Sequence, residues 1–183
     1  MQNLKNFELP NNFRGKNIFI VQLWYIVQFL FIRCSPQIFY RWRVWIFRLF
    51  GAKIGSHVRI RPSVKVVYPW KLKIGDNSWI GDNVYLYSLG EIEIRKNVVI
   101  SQNSYICTGS HDHSSENFDI YAKKILIHDS VWIATDVFVG PGITVGNGTV
   151  IGARSSVFHD MPSNAICFGN PAKKIKDRLT RNQ

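Results

Sequence analysis

The chain is 183 residues long, which leaves room for one domain and a short appended segment. Its 46% apolar and 14% aromatic content excludes a disordered chain, and three scattered cysteines (Cys34, Cys107, Cys167) exclude a disulfide framework or thiolate zinc site and suit a reducing cytosol. With 23 basic against 12 acidic side chains the net charge is +11; anionic lipid or a phosphorylated substrate fits that charge, whereas no DNA- or RNA-binding motif accompanies it and nucleic acid is not an expected partner.

The first fifty residues carry seven of the basic side chains against Glu8 alone. Residues 18–32 are almost wholly apolar, interrupted by Gln22 and Gln28 and flanked by Lys16 and Arg33. The run is shorter than the roughly 20 residues that a bilayer span needs. No small-residue cleavage site follows it, so a cleaved signal is not expected. Ser35-Pro36 breaks the pattern. Beyond the break Ile38, Trp42, Trp45, Ile46 and Leu49 share one helical stripe, with Arg41, Arg43 and Arg48 outside it. The pattern predicts two amphipathic helices over 1–50. They pack on the rest of the fold, lie in a membrane interface with Trp and Arg at headgroup level, or, against their length, span the bilayer.

From residue 54 onward the period is six. Branched aliphatics recur at Ile54, Ile60 and Val66, and at Ile74, Ile80, Leu86 and Ile92. The series resumes at Ile94, Ile100 and Ile106, and again at Ile127, Ile133, Val139, Val145, Ile151 and Val157. A small or branched residue takes the fifth place of many units, as at Ser78, Val84, Val98, Ser104, Val131, Val137, Thr149 and Ser155. Neither the helical period of 3.6 nor simple alternation gives a step of six. A coil of short strands does, three units closing one 18-residue triangular turn whose aliphatics stack on those of the next. Gly75-Asp76-Asn77, Gly81-Asp82-Asn83 and Gly146-Asn147-Gly148 supply the tight corners.

The frame slips between Ile92 and Ile94, and it fails from Ile106 to Ile127. Residues 109–124, GSHDHSSENFDIYAKK, read as a polar loop thrown out from the coil, and long loops in compact domains are usually functional. After Val157 an irregular tail closes the coil. The expected division is a helical segment over 1–50, a β-helix over 51–160 with its loop at 109–124, and a tail over 161–183.

The loop holds His111-Asp112-His113. As a metal pair this lacks a third and fourth ligand. Cys107 could be drawn as a nucleophile beside a histidine, but it directly follows the inward Ile106 and reads as a small turn residue. The hexapeptide runs, Thr108-Gly109-Ser110-His111-Asp112-His113, Ser130-Val131-Trp132-Ile133 and Gly169-Asn170-Pro171-Ala172-Lys173 together resemble the hexapeptide-repeat acyltransferases, which include galactoside, maltose and serine acetyltransferases. Leu49-Phe50-Gly51-Ala52-Lys53-Ile54-Gly55, Tyr68-Pro69-Trp70 and Trp79-Ile80-Gly81 are similar to the colanic acid biosynthesis branch.

The resemblance implies an all-β, left-handed parallel β-helix, a homotrimer with active sites between subunits, and acetyl-CoA as cosubstrate without a metal. It makes His111 the general base that deprotonates a sugar hydroxyl, with no acyl-enzyme; histidine's unperturbed pKa near 6.5 suits that role. On the donor side it aligns Trp132 with a family aromatic beside the catalytic histidine, Thr135 and Ala153 with positions lining the pantetheine arm, and Lys173 and Lys176 with basic groups near the 3′-phosphate of CoA. Phe158 and His159 depart from the small and basic pair usual there. Ser88 stands where galactoside-type relatives carry an acceptor-contacting Asn. Glu91, Asp112 and His113 are weaker acceptor-side candidates, and Asp112 or Glu91 is the candidate to orient His111. The implied reaction is O-acetylation of a sugar in exopolysaccharide biosynthesis; the expected location is the cytoplasm, with residues 18–50 either packed on the coil or in peripheral contact with the inner face of the membrane. The competing readings are N-acylation of an amino-sugar nucleotide and a non-catalytic β-helix scaffold.

Overall fold

The computed structural model describes residues 4–178, so the last five residues of the expected tail lie outside the described residues. The body is a parallel β-solenoid of five coils and the start of a sixth. The first coil comprises β1 (Lys53–Ile54), β2 (Arg59–Ile60) and β3 (Lys65–Val66); the second β4 (Leu72–Ile74), β5 (Trp79–Ile80) and β6 (Tyr85–Tyr87). The third has β7 (Ile92–Ile94), β8 (Val99–Ile100) and β9 (Tyr105–Cys107). A hairpin of β10 (Gly109–His111) and β11 (Ile120–Ala122) intervenes. The fourth coil is β12 (Ile125–Ile127), β13 (Trp132–Ile133) and β14 (Phe138–Val139); the fifth is β15 (Thr144–Val145), β16 (Val150–Ile151) and β17 (Ser156–Val157).

The expected columns are present. Ile54, Ile74, Ile94, Ile127 and Val145 are in register along the first face. Ile60, Ile80, Ile100, Ile133 and Ile151 fill the second, and Val66, Leu86, Ile106, Val139 and Val157 the third. All are buried. Burying each such side chain contributes about 1.5–3 kcal/mol, so the stack supplies most of the cohesion that two- and three-residue strands lack. The fifth-place hydroxyls are buried too and reach along the axis: Ser78 Oγ donates to Arg95 O at 2.8 Å and Ser104 Oγ to Ala134 O at 2.8 Å.

The coil length differs from the expected constant 18. The first-face registers give successive advances of 20, 20, 33 and 18 residues. The corner between the third and first faces holds two extra residues in the first two coils. Ile92, counted above as a unit of the six-step series, instead pairs with Leu72 and Ile125 and adds a second buried position to the first face. Side chains two apart on a strand share a face, which is why the extra pair keeps Ile94 inward.

Two helices, α1 (Ile18–Val27) and α2 (Tyr40–Leu49), close the open end of the first coil. Asn17 starts α1 by accepting from Ile20 N. A wide helical turn at Gln28–Arg33 extends it. The exposed strand edge of the first coil is capped on every face. Arg48 Nε donates to Ile54 O at 3.0 Å, Arg43 Nε to Ile60 O at 2.7 Å and Trp24 Nε1 to Val66 O at 2.9 Å, while Gln28 Oε1 accepts from Val66 N at 2.7 Å. Unpaired strand edges invite association, and these side chains occupy this one.

The face of α2 that meets the coil is not the aromatic stripe. Val44, Ile46, Phe47 and the whole of Arg43 are buried, while Ile38, Trp42, Trp45 and Leu49 are exposed. The reason lies in the turn before α2: Arg43 also donates to Ser35 Oγ, Pro36 O and Gln37 O, tying the Ser-Pro break to the coil and fixing which side turns inward.

The tail is more regular than expected. β18 (Ala165–Gly169) joins the second face beside β16, and β19 (Ala172–Asp177) returns antiparallel to it.

Candidate functional site

The extruded segment is a hairpin, His111 pairing with Ile120 at its far end. Its tip is built from short polar side chains that bond their own backbone. Asp112 Oδ1 accepts from Ser114 N at 2.9 Å and from Ser114 Oγ at 2.6 Å, which holds its carboxyl below the ordinary range. Ser115 Oγ donates to Asp119 Oδ2 at 2.6 Å. The base is closed by Thr108, whose Oγ1 donates to Tyr87 O at 2.7 Å and accepts from Gly90 N at 2.8 Å. Lys124 then clamps the returning strand to Glu91 at 2.8 Å and Glu93 at 2.5 Å.

His111 is half-buried, with Nδ1 at 2.8 Å from Phe118 O. A carbonyl oxygen only accepts, so Nδ1 carries the proton and, in the neutral ring, Nε2 keeps a free lone pair. The Phe118 ring stacks on the imidazole at 4.2 Å between centroids, and the Phe7 ring lies 5.9 Å away at a tilt. Phe7 is carried there by an N-terminal arm that Lys71 and Trp70 anchor, through bonds to Phe13 O at 2.6 Å and Arg14 O at 2.7 Å. The sequence reading named neither phenylalanine, although an aromatic at 118 inside a polar loop is a visible signal.

The two candidates for orienting His111 do not touch it: Asp112 is spent on the hairpin tip, and Glu91 pairs with Lys73 and Lys124. Ser88 is fully buried and both accepts from Tyr68 N and donates to Tyr68 O, leaving no group for an acceptor. His113 is exposed. Cys107 is buried at the end of β9, with Sγ donating to Gly109 O. Among the described residues no three His, Cys, Asp or Glu side chains are grouped as metal ligands.

Trp132, Thr135 and Ala153 gather elsewhere. Trp132 projects outward from the second face, Nε1 donating to Ser101 Oγ at 3.0 Å. Thr135 and Ala153 occupy the corner between the second and third faces in successive coils, where Arg154 N donates to Thr135 O at 3.0 Å. Lys173 and Lys176 lie exposed on β19, at the edge of the second face. The His111 hairpin leaves the other end of the third face. Within one protomer the imidazole and the corner set therefore sit on different edges of the prism.

No protein-family model matches the chain. It is 58% identical over 179 residues to the WcaF protein of Escherichia coli K12, assigned as a colanic acid biosynthesis acetyltransferase, with 98% of each chain covered. Among solved structures it resembles a maltose O-acetyltransferase from Clostridium difficile 630 (TM-score 0.77, 26% identity, 90% of each chain). It also shares the fold of a galactoside acetyltransferase in complex with coenzyme A (TM-score 0.82, 24% identity, 94% of this chain and 85% of that one). The chain belongs to the left-handed β-helix, hexapeptide-repeat acetyltransferases, in the colanic acid biosynthesis branch.

Proposed function

We propose that His111 is the general base of an O-acetyl transfer from acetyl-CoA to a sugar hydroxyl in exopolysaccharide biosynthesis. The protein is an acyl-CoA-dependent acetyltransferase, and acetyl-CoA is its cosubstrate. The observation that carries the role of His111 is the bond from Nδ1 to Phe118 O, which in the neutral ring leaves the Nε2 lone pair free. Nε2 takes the hydroxyl proton as the oxygen bonds to the thioester carbon. The tetrahedral intermediate then expels the CoA thiolate, and the imidazolium returns the proton to sulfur. The acetyl ester and the free thiol are the products, and no acyl-enzyme forms.

The donor is held by Thr135 and Ala153 along the pantetheine arm, by Trp132 beside the catalytic histidine that a neighbouring subunit brings, and by Lys173 and Lys176 near the 3′-phosphate. The acceptor lies beside His111, with Glu91, Asp112 and His113 at its margin. The working unit is a homotrimer in which the hairpin of one subunit meets the donor corner of the next. Two features support this: the separation of the two sets within one protomer, and an aromatic ladder on the outer third face. There Tyr85 stacks on Tyr105 at 5.1 Å, and Phe138 follows at 5.7 Å and Phe158 at a further 5.7 Å. The reading includes peripheral contact of residues 18–50 with the cytoplasmic face of a membrane.

The test is mass gain on a panel of sugars, amino sugars and their nucleotides incubated with acetyl-CoA. The expected result is a base-labile acetyl ester that His111→Ala does not form. An amide product, or normal turnover by that variant, overturns the proposal.

A further inference from the structure

Of the 21 large apolar side chains left exposed among the described residues, thirteen lie between Ile18 and Leu49. They arise because α1 and α2 use one side each to cap the prism. Val21 and Trp24 of α1 and Val44, Ile46 and Phe47 of α2 turn inward. The opposite sides carry Phe19, Leu23, Ile26, Trp42 and Trp45 outward, the two tryptophans stacked at 5.3 Å, and Phe29 on the wide turn after α1 is exposed with them. So large an apolar surface on one end of a molecule marks an interaction site. No helix is long and apolar enough among the described residues to cross a membrane.

The charge around this face selects the occupant. From residue 9 to residue 75 there are twelve Lys and Arg and no Asp or Glu. Lys16, Arg33, Arg41, Lys53 and Lys65 are exposed. A second copy bringing the same face would meet its own charge sign, which disfavours self-pairing there. An anionic surface with an apolar interior satisfies both features, and Trp beside Arg is the composition of interfacial helices.

We infer that the outer face of α1 and α2 docks the protein on an anionic lipid bilayer, with aromatic and aliphatic side chains in the interface and the surrounding cations on lipid phosphates. The inference rests on the peripheral contact proposed above and adds its residues, its headgroup charge and its orientation. The first coil faces the bilayer. The hairpin with His111 leaves the third coil, two strand spacings or about 10 Å further out. The arm from Asn17 to Phe7 runs from the docking helix to the imidazole. The acceptor hydroxyl would thus be met close to the lipid surface.

The experiment is flotation of the full chain with vesicles of phosphatidylcholine alone and of phosphatidylcholine with phosphatidylglycerol in a three-to-one ratio, at low and high salt. Binding to the mixed vesicles, weakened by salt, is expected. The pair Phe19→Ser and Trp45→Ser should weaken it by about tenfold or more, which is about 1.4 kcal/mol. Arg33→Gln with Arg41→Gln should weaken it by about fivefold per charge removed, or about 1 kcal/mol each. Circular dichroism of each variant checks the fold. His111→Ala should float as the parent does, so failed chemistry and failed docking are read separately. Failure to float with either vesicle overturns the peripheral contact itself. Equal binding to neutral and anionic vesicles, or variants that bind like the parent, overturn the assigned face. Sedimentation without lipid completes the test: if the apolar pair dissociates a larger assembly, a second copy covers this face and the inference falls.

Discussion

The imidazole Nδ1 of His111 lies 2.8 Å from the carbonyl oxygen of Phe118, across the hairpin tip that Asp112 and Ser115 close. The bond comes from backbone, so a side-chain change at 118 leaves it in place. His111→Ala should lower kcat by about two to four orders of magnitude, the usual worth of general base catalysis, with KM for acetyl-CoA little changed. Phe118→Ala keeps the carbonyl and loses only a stacked ring worth about 0.5–1.5 kcal/mol, so a drop of about tenfold or less is expected. Steady-state kinetics of the two variants checks this. A larger loss at 118 than at 111 would count against the base assignment.

The clamp at the hairpin base gives a pH signature. At Glu91 burial pushes the carboxyl up, but hydrogen bonds from Lys124 and Lys73 outweigh it and the net direction is down. Glu93 is lowered chiefly by Lys124. Carboxylates lowered on folding contribute stability above their unfolded values, near 4.3, and lose it as pH falls through the lower folded values. Lys124 is raised by the same partners, so its share is complete below about 10.4 and lost only as pH rises through its folded value. These groups are partly exposed, so solvent screening limits the whole effect to about 1 kcal/mol or less. Lys124→Met should lower the melting temperature by about 2–4 °C at neutral pH and flatten its fall between about pH 5 and 3. Melting curves of both proteins across pH are the measurement. Parallel curves would show that the clamp is not coupled to stability.

Much of the prism was legible because stacking needs one inward aliphatic per face, and a step of six leaves that mark from Ile54 to Val157. The two-residue corner insertion was hidden, since Ile92 happens to fall six after Leu86 and is itself apolar and buried. The inward face of α2 was not legible for a different reason. A periodicity count assigns arginines to solvent, whereas Arg43 is held inside by carbonyls whose positions depend on tertiary structure. At the site the polar composition of residues 109–124 pointed to an ejected segment, and 18 residues between Thr135 and Ala153 already placed them one coil apart. The partner of His111 was not legible, because any residue supplies a backbone carbonyl.

Arg43 gives the most direct stability test. Burial lowers the guanidinium from its ordinary value, but it donates to three carbonyls and a hydroxyl. Removing it leaves the buried carbonyl of Ile60 without this donor, at about 1–3 kcal/mol, empties a fully buried site, and breaks the part-buried bonds to Ser35, Pro36 and Gln37. Arg43→Ala should destabilise the protein by about 3 kcal/mol or more. Arg43→Lys should recover little of that, since one ammonium cannot reproduce the fork. Urea unfolding followed by tryptophan fluorescence reads both, because Trp24 sits in the same capped end. A lysine variant as stable as the parent would mean that charge alone, not geometry, ties the helices to the coil.

The proposed phosphate contact at the tail is tested through salt. Lys173 and Lys176 are exposed on β19, on a strand that Arg178 fixes to the body through Ser130 O at 3.0 Å and Gly148 O at 2.9 Å. Exposed cations meeting a phosphate attract it over a distance that salt shortens, from about 10 Å at 0.1 M to about 3 Å at 1 M ionic strength. The parent's KM for acetyl-CoA should therefore rise with salt while kcat holds. Lys173→Ala with Lys176→Ala should raise KM at low salt by several-fold and remove most of the salt dependence. Acetyl-dephospho-CoA, which lacks the 3′-phosphate, separates this contact from a general basic field. The double variant should treat the two donors alike, and the parent should prefer acetyl-CoA. If the parent shows no such preference, these lysines belong to the solvated surface, and the 3′-phosphate is held by another group.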